Sequence, residues 1–178
     1  MINLSKYNNA WYYPGRNAVI RGLWYITNVL IFKSACFPFY GFKRGLLRAF
    51  GAKVGKLVVI KPCVNIKYPW RLSIGDYAWV GENVWIDNLA DVTIGANCCI
   101  SQGALLLCGN HDYTKETFDL ITAPITLKSG AWVGAKAVVC PGVTMGESAV
   151  LTAGSVATRP LDPNTVYQGN PATPKKKS

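Results

Sequence analysis

Residues 127–157 read LKSGAWVGAKAVVCPGVTMGESAVLTAGSVA, and an aliphatic residue or alanine returns at every sixth place: Leu127, Val133, Val139, Met145, Leu151 and Ala157. The same beat runs upstream through Val54, Ile60 and Ile66, then Ile74, Val80 and Ile86, then Ile94, Ile100 and Leu106. An α-helix returns its apolar face every 3.6 residues and a lone strand every second residue, so a sustained period of six is neither. It fits short flat strands joined by tight corners, the aliphatic side chains pointing into a narrow prism whose three sides make one coil. The residue after the aliphatic is often glycine (Gly55, Gly75, Gly81, Gly95, Gly134, Gly146). Such glycines read as corners that adopt positive φ. The place four after the aliphatic is small or β-branched, as at Val58, Ala78, Ala104, Ala131 and Ala149.

From coil to coil the leading residues Val54, Ile74, Ile94, Leu127 and Met145 advance by 20, 20, 33 and 18. Eighteen is three sides of six, the twenties carry a two-residue bulge, and the step of 33 carries a 15-residue insertion. The expected organisation is therefore a helical cap over 1–51, a β-helix of about five coils over 52–160 with an inserted loop at 107–121, and a C-terminal extension with a basic tail over 161–178.

The chain has 178 residues, half of them hydrophobic, which suits one sizeable core rather than a disordered or disulfide-stapled chain. Its net charge of +10 is unevenly placed: residues 1–75 hold twelve Lys and Arg and no Asp or Glu, whereas the remainder holds seven basic and nine acidic residues. No nucleic-acid-binding motif accompanies the basic excess, so a nucleic-acid partner is not expected. His111 is the only histidine, and six cysteines (Cys36, Cys63, Cys98, Cys99, Cys108, Cys140) form no CxxC pair, so no metal is expected. The start MINLSKYNNAWYYPGRN lacks the pattern of a secretory leader, which with reduced, mostly buried cysteines leads to the expectation of a cytoplasmic protein.

IGDYAWVGENVW (74–85), VTIGANCCISQGA (92–104) and the stretch from Gly130 to Leu161 resemble the hexapeptide-repeat, left-handed parallel β-helix acyltransferases. WIDN (85–88), CCISQGA (98–104), GNHDY (109–113) and YQGNPA (167–172) are more narrowly similar to the colanic-acid-biosynthesis-type acetyltransferases, relatives of the galactoside and maltose O-acetyltransferases. The resemblance implies a mainly β fold, a homotrimer with sites between neighbouring prisms, acetyl-coenzyme A as donor, and as acceptor a sugar hydroxyl of a surface polysaccharide or a lipid-linked precursor. N-acetylation of an amino sugar and a non-enzymatic structural β-helix are the competing readings.

His111 lies in the insertion, and a neutral imidazole suits removal of a hydroxyl proton, so it is the expected general base. Asp87 places a carboxylate where the preceding side of the coil has Gly81, and is the expected orienter of base or sugar. Asn88 and Asn83, with Asn110, Asp112 and Tyr113 beside His111, are the expected acceptor contacts. By motif, Trp132, Gly134, Ala135, Ala153, Gly154, Thr158 and Arg159 would line the coenzyme groove, Gly169, Asn170 and Pro171 would lie near the adenine, and Lys176 of the basic tail would reach the phosphates. The Ala135 N–H is the expected oxyanion donor.

For the aromatic, basic front, Asn17–Phe32 reads as a helix and Lys43–Phe50 as a short amphipathic one, with Gly41 and Gly45 interrupting the stretch. Two roles compete for this segment: covering the open first coil, and peripheral docking on the anionic inner face of the membrane through Arg21, Lys33, Lys43 and Arg44.

Overall fold

Very short strands stack in register into three parallel sheets, the sides of a three-sided solenoid, in a computed structural model that describes residues 1–175. On the first side Val54, Ile74, Ile94, Leu127 and Met145 lie in a row. Ile60, Val80, Ile100, Val133 and Leu151 make the second row, and Ile66, Ile86, Leu106, Val139 and Ala157 the third. All of these except Val54 are buried, none above 4% exposed. The small residues four places on are buried beside them, so two side chains per strand fill the narrow interior.

The glycines directly after the aliphatic do not hold the positive-φ corners. Positive φ falls three places after the aliphatic, at Leu57, Cys63, Tyr77, Asn83, Asn97, Gly103, Gly130, Lys136, Gly142, Ser148 and Gly154. The glycines directly after the aliphatic are required for a different reason, close approach of the next coil. A Cβ on Gly75 would stand 2.5 Å from the amide nitrogen of Ala96, and one on Gly134 would stand 2.5 Å from that of Ala153.

Five full coils are followed by a partial sixth, in the stretch expected to be an extension. Leu161 bridges Met145 in parallel, and Val166–Gly169 adds to the second side against Val150 and Leu151, then pairs antiparallel with Ala172–Pro174. Leu161 and Tyr167 keep the six-residue spacing and are buried.

Helix α1 (Ala18–Thr27) begins on Asn17, whose side chain accepts from Ile20 N–H, and widens into a π turn over Asn28–Phe32. Helix α2 (Tyr40–Ala49) runs through Gly41 and Gly45 rather than being interrupted by them. Each glycine weakens a helix by about 1 kcal/mol. Burial of Leu47 on the face toward the solenoid, and the backbone hydrogen bonds Lys43 makes there, supply the compensation.

What the helices cover is the outer edge of the first coil, where alternate residues turn backbone polar groups away from the second coil and no strand lies beyond. Arg48 Nη2 donates to the carbonyls of Val54 (2.8 Å) and Gly55 (2.9 Å), Arg44 Nη1 to Val58 O (2.8 Å), and Lys43 Nζ to Ile60 O (3.4 Å) and Lys61 O (3.0 Å). Trp24 Nε1 donates to Ile66 O (2.9 Å), and the Asn28 side chain accepts from Ile66 N–H (3.2 Å). Carbonyls can only accept, and Lys and Arg can only donate, so an edge rich in free carbonyls calls for cations and gives carboxylates nothing to do. Much of the basic excess in α2 is therefore edge covering. Lys43 and Arg44, two of the four cations a membrane-docked front would use, are committed to backbone, and burial pushes the Lys43 ammonium below its usual range.

Candidate active site

Every departure from the six-residue spacing before Met145 falls at one corner, between the third and first sides: Ile66 to Ile74, Ile86 to Ile94, and Leu106 to Leu127. Stacked, the two bulges and the insertion build a pocket of about 570 Å³. Its walls include Lys67, Tyr68, Leu89, His111 and Leu120, and on the open side Tyr7, Asn9 and Tyr12 of the N-terminal arm, with Arg21 of α1. The insertion is a hairpin, Gly109–His111 paired antiparallel with Leu120–Thr122.

His111 is firmly held. Its Nδ1 lies 2.9 Å from the carbonyl oxygen of Phe118, its ring stacks on Phe118 at 4.3 Å with 1° between planes, and Tyr7 meets it edge-on at 5.6 Å. A carbonyl has no proton to give, so Nδ1 carries the hydrogen and, in the neutral imidazole, Nε2 keeps its lone pair. The hairpin tip is tied by Asp112, which accepts from Thr114 and sits 3.8 Å from Lys115, and by Lys115 to Asp119 at 3.0 Å. These bonds hold both carboxyl groups below the usual range, hydrogen bonds from Thr114 and Thr117 leading.

The acceptor contacts expected from sequence divide. Asn110 accepts from the His111 N–H and Asp112 shapes the tip, so both position the loop; Tyr113 is 76% exposed. Asn83 is an exposed left-handed corner residue that lines none of the cavities described here. Asn88 is fully buried, and its amide accepts from Tyr68 N–H and donates to Tyr68 O, so here it joins two coils. Asp87 is also buried, and its Oδ1 lies 2.9 Å from Lys67 Nζ as an ionic contact without a directed hydrogen bond. It fixes Lys67, while the Phe118 carbonyl does the orienting of His111 that was expected of Asp87.

Reasoning from sequence missed the arm. Tyr12 donates to Leu89 O (2.8 Å), Trp70 Nε1 to Pro14 O (2.7 Å) and Arg71 Nη2 to Tyr13 O (2.6 Å), while Lys6 pairs with Glu116 of the hairpin at 2.8 Å. Burial raises the Tyr12 phenol to about 12, against the lowering influence of Arg71. The available signal was the eight-residue spacings, which share their corner with the insertion.

The second expected site lies elsewhere on the chain. Trp132, Gly134, Ala135 and Ala153 line one groove of about 350 Å³ on the second side, together with Ser101 and Gln102. Trp132 Nε1 donates to Ser101 Oγ at 2.9 Å, and the Ala135 N–H has no hydrogen-bond partner among the described residues. Gly154 adjoins the groove with φ of 67°, and Gly169 reaches this corner through its N–H to Ser155 Oγ at 3.0 Å, with Asn170 and Pro171 in the turn that follows. Thr158 and Arg159 are exposed at the histidine's corner of the prism, beyond the third side, and do not line the groove. Lys176 lies outside the described residues. Groove and His111 pocket share no lining residue.

The six thiols are free. Only Cys98 and Cys108 are buried, fewer than expected, and Cys36 is exposed; burial pushes Cys108 up to about 12. No cluster of metal-ligating side chains occurs among the described residues. Among them, too, no helix is long and apolar enough to cross a membrane.

A repeat solenoid bearing a looped-out histidine and a small-residue groove is the architecture of a hexapeptide-repeat acyltransferase. A hexapeptide-repeat acetyltransferase of Vibrio cholerae, solved with acetyl-coenzyme A, superposes with a TM-score of 0.80 over 89% of this chain and 87% of its own, at 23% identity. A galactoside acetyltransferase solved with coenzyme A gives 0.75 over 89% and 79%, at 27% identity. No protein-family model matches. Over 172 residues the chain is 41% identical to the putative colanic acid biosynthesis acetyltransferase WcaF of Escherichia coli, covering 97% of this chain and 94% of that one. The chain belongs to the family of the colanic acid biosynthesis acetyltransferases, within the hexapeptide-repeat acyltransferases.

Proposed function

We propose that the protein is an acetyl-coenzyme A-dependent O-acetyltransferase acting on a sugar hydroxyl of a surface polysaccharide or its precursor in the cytoplasm, with His111 as general base. The observation that carries this is the Nδ1 contact with the Phe118 carbonyl, which leaves the Nε2 lone pair as the basic site of a rigidly stacked imidazole at the pocket wall. Nε2 takes the hydroxyl proton as the oxygen attacks the thioester carbonyl, and the Ala135 N–H steadies the oxyanion. The tetrahedral adduct expels the coenzyme thiolate, which recovers the proton from the imidazolium. The donor is held by Trp132, Gly134, Ala135, Ala153 and Gly154, with Gly169, Asn170 and Pro171 at its far end. Because groove and base occupy different corners of one prism, a complete site joins the groove of one protomer to the His111 corner of the next, and the working unit is a homotrimer.

Support for an acetyl acceptor of this kind comes from the relative named for colanic acid biosynthesis. The test is acetyl transfer from acetyl-coenzyme A to a panel of sugars, nucleotide-linked and lipid-linked, with His111→Ala alongside. Loss of a general base lowers kcat by roughly 10²–10⁴-fold. A variant that retains full transfer refutes the mechanism.

A further inference from the structure

Phe118 serves His111 with both its carbonyl and its ring, and it does so from a left-handed backbone conformation, φ 51°. Every other positive-φ residue with a side chain, among the described residues, is a coil corner three places after an inward aliphatic. An aromatic residue outside that pattern is disfavoured there and persists only where its surroundings hold it. The backbone bonds of its own turn are long: Lys115 N–H reaches Asp112 O at 3.3 Å, and Phe118 N–H reaches Lys115 O at 3.2 Å. A closer grip comes from the N-terminal arm, on Glu116, two residues before Phe118. Asn3 N–H donates to Glu116 O at 2.9 Å, and Lys6 Nζ to Glu116 Oε2 at 2.8 Å. Asn3 and Lys6 act as one piece, because Lys6 N–H donates to Asn3 O (2.9 Å) and the Asn3 side chain accepts from Ser5 N–H (3.1 Å). Tyr7, next along the arm, meets the imidazole edge-on.

We propose that Glu116 is a positioning residue for the general base and that residues 3–7 are the strap that fastens it. By fixing Glu116, the strap keeps Phe118 left-handed and its carbonyl on Nδ1, and so keeps the lone pair on Nε2. Glu116 does not line the His111 pocket, so it acts through Phe118 rather than on a ligand. The Lys6–Glu116 pair has both side chains about half exposed, and such a pair adds little to global stability. Its effect is local. Releasing Glu116 lets the turn return to commoner φ values and swings the carbonyl away from Nδ1. Freed from a group that can only accept, the neutral ring takes its hydrogen on either nitrogen, and the Nε2–H form has no lone pair at the atom that must remove the hydroxyl proton.

The inference rests on the general-base reading for its catalytic consequence, but its test reads the imidazole itself. His111 is the only histidine, so a long-range proton–nitrogen correlation spectrum of the nitrogen-15-labelled full-length protein reports its tautomer without assignment. The spectrum is recorded at a pH well above the ordinary histidine range, where the ring is neutral. The parent should hold the Nδ1–H form. Lys6→Met and Glu116→Gln should each raise the ratio of Nε2–H to Nδ1–H roughly twofold to fivefold, the shift in equilibrium that an exposed ion pair commands, with little change in Tm. The double variant should go no further than either single change, and the exchanged pair, Lys6→Glu with Glu116→Lys, should restore the parent ratio. A ratio that stays at the parent value in both single variants, a double variant whose shift is the product of the two, or an exchanged pair that fails to restore it would overturn the proposal. A parent ring in the Nε2–H form would overturn it together with the mechanism above. Shifted tautomers with undiminished acetyl transfer would instead uphold the strap and remove His111 as the base.

Discussion

Replacing Gly75 with alanine, and separately Gly142 with alanine, separates the two jobs that glycine does in this solenoid. Gly142 has φ of 80°, and its nearest neighbour to a new Cβ is the Ala123 side chain at 3.5 Å, so only backbone conformation opposes the methyl. A left-handed alanine costs about 1–2 kcal/mol, less about 0.4–1 recovered from the stiffer unfolded chain, for a net loss of about 1. Gly75 has ordinary φ, but its Cβ would sit 2.5 Å from Ala96 N, where the Gly75 N–H already donates to Ile94 O at 2.7 Å. The neighbouring coil must retreat by about 1 Å. Overpacking of roughly 1–3 kcal/mol and a weakened buried hydrogen bond of about 1–3 then bring the loss to about 2–6 kcal/mol. At about 2–4 °C per kcal/mol for a chain of this size, Gly142→Ala should lower Tm by a few degrees and Gly75→Ala by roughly 4–24 °C, about 12 °C at mid-range. Thermal unfolding followed by circular dichroism at matched protein concentration measures both. Equal shifts, or a larger one for Gly142→Ala, would show that close coil approach is not what selects glycine after the aliphatic.

Changing Arg44 and Arg48 together to methionine strips donors from Val54, Gly55 and Val58 carbonyls, for a loss of about 2–3 kcal/mol and greater self-association through the bared edge; an unchanged urea midpoint and sedimentation profile would refute the covering role. Asn88→Ala leaves both Tyr68 backbone groups without their partner, so stability should fall by about 3 kcal/mol, and a change in acceptor KM without a change in Tm would restore Asn88 as a binding residue. The Tyr12 phenol, raised from 10.0 to about 12, favours the fold fully below about pH 10, and that contribution is lost as pH rises through 12. Tyr12→Phe should therefore flatten the alkaline fall in stability and delete the latest-ionising tyrosine from the ultraviolet titration; persistence of that late step would show that another phenol is responsible.

Much of the fold was legible because each coil solves the same packing problem locally. An inward aliphatic every sixth residue places Val80 on Ile100 and Val133 on Leu151 with no further information, since pairing register in a solenoid follows from coil length alone. The partial sixth coil was missed because its step shortens, although Leu161 and Tyr167 keep the beat. The glycines were assigned the wrong duty because close approach belongs to the neighbouring coil and leaves no mark on the residue itself.

The sequence by itself determined the solenoid, the insertion and its solitary histidine, since all three are matters of spacing along the chain. Only the tertiary structure decided what surrounds that histidine. Phe118 orients it from across a hairpin, the arm at Tyr7 and Tyr12 walls it from about 100 residues away in sequence, and Asn88 is buried and bonded to Tyr68 of the coil beneath. The basic front likewise acquires its meaning only in three dimensions. Twelve cations without a carboxylate look like a surface waiting for a polyanion, until Lys43, Arg44 and Arg48 are seen against the carbonyl edge of the first coil and Lys67 against the buried Asp87. Charge is counted along a chain, but what it binds is set by which unsatisfied groups the fold brings within 3 Å of it.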